Sequence, residues 1–259
     1  MSRETPTTAT LTILGAGNLG RALARGWAAA GVCAPSAITL TRRHAGGLPE
    51  MEAHGFSVGT DNVEAVGRAE TVVLAVQPQQ VVEVLREIGP VLNPARHRLI
   101  SVVSGVPIAS LREHLGVDVP VVRAMPNTAV TIGESMTCLS ALPGAEDALT
   151  AATALFDAVG STLRIDEEMM VPATALCACG VAFFLRAIRA ASQGGIEIGF
   201  HPHDAILLAA QTARGAASLL LEGGHPEAEI DRVTTPRGCT IAGLNEMEHQ
   251  GFSSAMIRG

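Results

Sequence analysis

The chain has 259 residues, 47% hydrophobic and 17% charged, and its 18 basic and 25 acidic side chains leave a net charge of −7. That balance argues against nucleic acid as a partner, which would need a basic face. Every basic residue is Arg and tyrosine is absent, which excludes a Schiff-base lysine, a P-loop lysine and a tyrosine proton donor.

Residues 10–14 (TLTIL) form a short apolar run that reads as a strand, followed at once by Gly15-Ala16-Gly17-Asn18-Leu19-Gly20. A helical pattern then places Leu23, Trp27 and Ala30 on one face and ends at Gly31. A second strand, 37–40, ends at Thr41-Arg42-Arg43. Further strands are expected over 71–76, 98–103 and 120–124, with helices over 78–88 and 107–115 between them. Uninterrupted apolar runs alternating with helices predict an α/β fold, a doubly wound parallel sheet of Rossmann type covered on both faces.

From about residue 145 the character changes. Helices are expected over 146–159, 172–194, 202–222 and 238–250, with few strand candidates after 172. This places a Rossmann domain over 1–160 and a helical dimerisation and substrate-binding domain over 161–259. The 172–194 helix is apolar almost all round until Arg186, so it needs cover that a small helical domain does not supply; a homodimer is expected there. The uncharged run 169–185 is interrupted by Pro172 and Gly180 and falls short of the roughly 20 apolar residues of a membrane span, so none is expected. The opening MSRETPTTAT lacks the apolar stretch of a signal peptide. Cys33, Cys138, Cys177, Cys179 and Cys239 read as buried thiols in a reducing compartment, and a soluble cytoplasmic protein is expected. Cys177 and Cys179 point to different helix faces, and His201-Pro202-His203-Asp204 reads as a helix start. No metal site is expected.

A G-x-G-x-x-G pattern alone is weak, but here a strand precedes it, a helix follows and a second strand ends about 20 residues on. Gly15 permits the tight turn, Gly17 lets backbone approach a pyrophosphate and Gly20 allows close helix–strand packing, while Ala16, Asn18 and Leu19 complete the turn. Free N–H groups and the helix dipole then attract the pyrophosphate. NADH sites carry Asp or Glu at the end of the second strand; Thr41, Arg42 and Arg43 instead suit a 2′-phosphate, so NADPH is favoured and NADH stays open. Ala75, Val76, Gln77 and Pro78 close the strand begun at Thr71 on the same rim, with Asn62 and the turn 124–128, where backbone of Ala124 and Asn127 is suited to the nicotinamide.

These segments resemble the Δ1-pyrroline-5-carboxylate reductase family nearly end to end. The resemblance covers GAGNLG, DNVEA at 61–65, LAVQPQ at 74–79, SVVSGVPI at 101–108, VVRAMPNT at 121–128 and AAQTARGAASLLLEGGHP at 209–226. Its most specific part is VTTPRGCTIAGLNEME at 233–248. The resemblance implies a Rossmann domain, an interlocked helical dimer often built into larger rings, and NAD(P)H-dependent reduction of a cyclic imine to L-proline. Physically, Thr234, Thr235, Gly238 and Thr240 make a hydroxyl- and glycine-rich turn opening a helix, suited to a carboxylate; simple N-capping of that helix is the competing account. The resemblance puts Thr240 beside the ring nitrogen as proton donor or relay. It sets the carboxylate against Gly238, Cys239 and Thr240, a loop that in an interlocked dimer can serve the other subunit's cofactor.

Four positions depart from the family pattern: Gln77 for lysine, Ala129 for proline, Cys177–Phe183 for SGSGPAY, and Arg237 for the first of two glycines. A positive φ at 237 would strain an arginine. Two alternatives stay open: reduction of a substituted or six-membered cyclic imino acid, and a non-catalytic cofactor-binding homologue. The β-hydroxyacid dehydrogenases share the Rossmann half but use a catalytic lysine, which this chain lacks.

Overall fold

The structure is a computed structural model that describes residues 10–44 and 48–259. The reading of the opening segment as lacking a signal peptide rests on residues 1–9, outside the described ones. Eight strands form one sheet: β1 (Leu11–Leu14), β2 (Ile38–Thr41), β3 (Ser57–Gly59), β4 (Thr71–Leu74), β5 (Arg98–Ser101), β6 (Val121–Met125), β7 (Ser135–Ala141) and β8 (Gly160–Arg164). Their order is β3-β2-β1-β4-β5-β6-β7-β8. The first six are parallel throughout, the doubly wound dinucleotide order, while β7 runs antiparallel to β6 and parallel to β8. Helices α1 (Asn18–Ala29), α2 (Pro49–Ala53), α3 (Asn62–Arg68), α4 (Val81–Ile88), α5 (Ile108–Leu115) and α6 (Glu146–Asp157) accompany the sheet.

The strands alternate strictly between two cores, as a period of two requires. Leu11, Ile13, Val73 and Ile100 point to the side holding Trp27 and Phe156. Leu14, Val72, Leu74 and Leu99 point to the other side, among Val84 and Leu85 of α4 and Leu111 of α5. Helix α1 buries Gly20, Leu23, Ala24 and Trp27, spaced as one helical face. Ala30, expected on that face, is instead the exposed C-cap, where the chain turns away toward Gly31. The Trp27 indole N–H donates to the Leu155 carbonyl at 2.8 Å, and its ring meets Phe156 edge-on at 5.6 Å.

Strands β3, β7 and β8 were not expected from the sequence. In β7 the buried positions include Ser135, Thr137 and Ser140, so no apolar run marks it. Strand β8 lies at the sheet edge and is half exposed, with only Leu163 as a large apolar residue.

The chain divides into two compact units at Cys179/Gly180. The first closes with α7 (Met170–Ala173) and a π-helical turn, Thr174–Cys179. The second is wholly helical: α8 (Gly180–Glu197), α9 (Pro202–Leu221), α10 (Pro226–Val233), α11 (Cys239–His249) and α12 (Phe252–Arg258). The helix expected over 172–194 is thus part of a longer run, Glu167–Glu197. By length and composition that run, with a mean hydropathy of 1.8, is long and apolar enough to cross a membrane, and only 6% of its apolar window is buried within the chain. Large apolar side chains of the second unit, among them Phe184, Leu185, Leu207, Leu208 and Leu221, stand exposed on the single chain.

Trp27 is fully enclosed and ties α1 to α6 through both its ring and its N–H. Trp27→Ala is expected to cost about 3–5 kcal/mol of stability, read from urea denaturation followed by far-ultraviolet circular dichroism.

Candidate active site

The glycine turn between β1 and α1 is anchored from the neighbouring strand: the Thr41 carbonyl accepts from Gly15 N (3.1 Å) and Ala16 N (2.8 Å). Gly15 has φ +110°, and a Cβ there would lie 2.5 Å from the Ala75 carbonyl oxygen. On Gly20 a Cβ would lie 2.2 Å from the Gly15 carbonyl oxygen, so the first turn of α1 rests directly on the loop. Gly17 is different. It is the N-cap of α1, no side chain caps it, and the space where its Cβ would stand is open to 4 Å. The first N–H groups of α1 therefore face open space without an intrahelical acceptor, and no acidic residue occupies that turn. Asn18 accepts from Arg21 Nη2 at 2.9 Å, and Leu19 packs partly against the core, so both serve the helix with their side chains.

A cleft of about 490 Å³ opens here. It is lined by Gly15, Ala16, Gly17, Thr41, Arg42, Arg43, Asn62, Ala75, Val76 and Gln77, and also by His44, Thr60, Gln80, Glu83, Val84 and Glu87. Ten of the residues expected at the cofactor site thus meet in one cavity. Pro78 begins the short 3-10 turn Pro78–Gln80 beside it, and the Gln77 N–H donates to Gln80 Oε1 at 3.3 Å. The Thr41 hydroxyl lies 2.7 Å from Asn62 Oδ1, and Asn62 Nδ2 donates to Glu87 at 2.8 Å. Arg42 and Arg43 are exposed, with Arg43 Nη2 3.9 Å from Glu83. Glu83 and Glu87 escaped the sequence reading because they lie on α4; their place four apart on the polar face of that amphipathic helix was the only available signal.

The open glycine cradle fits a pyrophosphate, and two exposed guanidiniums at the end of β2 fit a 2′-phosphate.

Ala124 and Asn127 stand apart from the cleft lining. Ala124 is buried in β6. Asn127 is already bonded throughout: its N–H to Ser135 Oγ (3.1 Å), its carbonyl to Val130 N (3.2 Å), Oδ1 to Ala129 N (3.0 Å) and Nδ2 to the Cys177 carbonyl (3.3 Å). A ligand contact with its N–H must displace the Ser135 bond, while its carbonyl keeps a second acceptor position. Ala129, the departure from proline, supplies an N–H that proline lacks, and this N–H closes the Asn127 turn. Cys177, within the π-helical turn, lies 3.7 Å sulfur to sulfur from Cys138; burial, with that neighbour adding to it, pushes the Cys138 thiol up to about 11.

In the second unit, the signature segment joins α10 to α11. The Thr234 hydroxyl donates back to the Ile230 carbonyl at 2.7 Å, and Gly238 N donates to the Thr235 carbonyl at 2.9 Å. Between them Arg237 adopts φ +61°, unique among the described non-glycine residues. A Cβ on Gly238 would lie 2.4 Å from the Thr235 hydroxyl and 3.0 Å from its carbonyl oxygen, so any larger residue there must shift the Thr235 side chain. Gly238 is the N-cap of α11, and no side chain caps that helix. Hydroxyl N-capping therefore does not account for the motif. Backbone N–H groups of the first turn, beginning at Cys239 and the half-buried Thr240, stay without an intrahelical acceptor, and no acidic residue stands beside them. His201 and Pro202 open α9 with Asp204 in its first turn, and among the described residues no three His, Cys, Asp or Glu side chains group as for a metal.

Comparison with known proteins places these features. The family description "Pyrroline-5-carboxylate reductase dimerisation" matches residues 167–259, and "NADP oxidoreductase coenzyme F420-dependent" matches 10–105. Pyrroline-5-carboxylate reductase 1 of Dictyostelium discoideum is 51% identical over 95% of this chain, which spans 47% of that protein's length. Pyrroline-5-carboxylate reductase 2 of the same organism is 46% identical over 96% of this chain and 89% of its own. Among solved structures, the Plasmodium falciparum pyrroline carboxylate reductase with NADP bound matches with a TM-score of 0.87 at 25% identity, covering 96% of this chain and 93% of that one. The Coxiella burnetii pyrroline-5-carboxylate reductase also gives 0.87, at 29% identity, covering 97% and 94%. With nearly half its residues identical to a relative matched over most of both lengths, the chain belongs to the pyrroline-5-carboxylate reductase family.

Proposed function

We infer that the chain reduces Δ1-pyrroline-5-carboxylate to L-proline with NADPH. The observation that carries this reading is the glycine-opened start of α11. There the first-turn backbone donors and the Thr240 hydroxyl stand together behind Gly238 with no acid in the turn and no capping side chain, in a chain whose relatives bear that activity's name. The first unit supplies the cofactor-holding groups: the α1 N-terminus behind Gly17 for the pyrophosphate, and Arg42 and Arg43 for the 2′-phosphate. When bound, NADPH supplies the hydride that the imine carbon accepts. The rest falls to the chain's own residues.

The substrate carboxylate is assigned to the backbone N–H groups of Cys239 and Thr240, which the positive end of the α11 dipole favours, while the Gly238 N–H is bonded to the Thr235 carbonyl and shapes the loop. Thr240 sits at the second position of that helix, so a carboxylate held there brings the adjacent ring nitrogen within reach of its hydroxyl, which donates or relays the proton. Protonation makes the imine carbon electrophilic, and alignment of two reactants then supplies most of what the protein must add, on the scale of several kcal/mol. Neither lysine, tyrosine nor metal is needed for these steps. A substituted or six-membered ring is not favoured by the relatives' names.

The functional form is a homodimer through the second unit. Its exposed apolar side chains and the dimerisation description over residues 167–259 support this reading of the Glu167–Glu197 run over a membrane span. Assembly of dimers into rings belongs to the same reading, and native mass spectrometry reports it.

NADPH oxidation against a panel of cyclic imino acids tests the activity; turnover confined to a ring other than the unsubstituted five-membered one would overturn it. Thr240→Ala is expected to lower kcat/KM roughly a hundredfold while leaving the Kd for NADPH unchanged. Arg237→Gly is expected to raise stability by about 0.5–1 kcal/mol, because glycine relieves the left-handed backbone but gains freedom in the unfolded chain. Loss of its positive charge beside the carboxylate loop is expected to raise KM for the imino acid by about two- to fivefold, read from steady-state kinetics.

A further inference from the structure

The adenosine end of the cleft holds a hydrogen-bond chain whose direction is fixed by its last member. Glu87, on α4, can only accept, so the Asn62 side chain must turn its amide nitrogen toward that carboxylate, at 2.8 Å. Asn62 Oδ1 then faces Thr41, and the Thr41 hydroxyl must donate to it, at 2.7 Å. With its proton spent, Thr41 at the end of β2 has only acceptor capacity left, although this strand end is where an NADH site carries its acidic acceptor. The carboxylate missing from β2 has instead entered the same cleft from α4. Asn62 uses one of roughly four acceptor positions on the Glu87 carboxylate, leaving the rest for a ribose hydroxyl.

We propose that Glu87 is the residue that sets nucleotide selectivity, accepting from the unphosphorylated ribose of NADH and repelling the 2′-phosphate of NADPH. Two guanidiniums oppose it at the same cleft, and one of them, Arg43, is shared with Glu83 at 3.9 Å. The outcome is a reductase that binds both nucleotides, its preference set by the balance of Arg42 and Arg43 against Glu87. This rests on the reading that the cleft holds a nicotinamide dinucleotide.

The decisive measurement is direct binding of NADPH and of NADH, by nucleotide fluorescence titration, to the wild-type dimer and to Glu87→Gln and Glu87→Ala. Glu87 is exposed, so neither substitution disturbs the core. Glutamine keeps an acceptor for Asn62 and removes only the charge. Its Kd for NADPH is expected to fall by about three- to tenfold with the Kd for NADH level or higher. Alanine removes the acceptor as well and is expected to weaken NADH further. Equal shifts for the two nucleotides, or none, overturn the proposal. Wild-type chain that binds neither nucleotide overturns it together with the reading of the cleft. Binding of both without turnover of the imine overturns the assigned activity alone, because the ratio of the two Kd values still decides the role of Glu87.

Discussion

The whole arrangement depends on backbone passing closer to backbone than any side chain would allow. The β1–α1 turn lies against the end of β4, held there by two N–H bonds to the Thr41 carbonyl, and a methyl group on Gly15 or Gly20 would strike a carbonyl oxygen at 2.5 or 2.2 Å. Because α1 is drawn onto the sheet at Gly20, its N-terminus is presented at the carboxyl edge with its donors open. The same contact brings Trp27 of α1 onto Phe156 of α6. Cofactor cradle and core packing are therefore one constraint, and a change at Gly20 disturbs both.

The second unit repeats the device with different parts. Gly238 lies close against the Thr235 hydroxyl rather than against a carbonyl, and it again opens a helix without a capping side chain. Leaving a helix N-terminus uncapped forgoes about 0.5–2 kcal/mol, a cost that is offset when an anion occupies the donors. The left-handed Arg237 adds a further cost of about 1–2 kcal/mol at the same loop. A residue held against its intrinsic preference beside an uncapped helix start is what the proposed ligand contact at this loop would account for.

Much of this was legible because glycine and hydrophobic periodicity report local geometry directly. The roles of Gly15, Gly17 and Gly20 follow from what each lacks, and the parallel strands follow from apolar runs buried on both sides. Strand β7 was hidden because Ser135, Thr137 and Ser140 are buried polar residues, and the Asn127 N–H that bonds Ser135 comes from a segment whose proximity sequence does not reveal. Asn127 itself read as a ligand group on position alone; its four hydrogen bonds come from segments at 129, 130, 135 and 177. The acidic members of the cofactor cleft were unreadable for a related reason: Glu83 and Glu87 look like ordinary solvent-facing residues of an amphipathic helix until the sheet order brings α4 beside the end of β2.

The residues absent from the composition constrain the chemistry as firmly as those present. Without lysine, no side chain near the glycine cradle supplies a primary ammonium, and the position expected to carry one holds Gln77. Apart from the His44 imidazole, positive charge in the cleft comes from guanidiniums, the α1 N-terminus and backbone N–H groups, and these are planar or fixed in direction. Such groups bind oxyanions by geometry and exchange no protons at neutral pH. A site built from them suits a reaction whose charge is largely in place before hydride moves, as it is in a protonated imine. It leaves the proton to the Thr240 hydroxyl in the proposed reading, a stronger hydrogen-bond donor than the neighbouring Cys239 thiol in the first turn of α11.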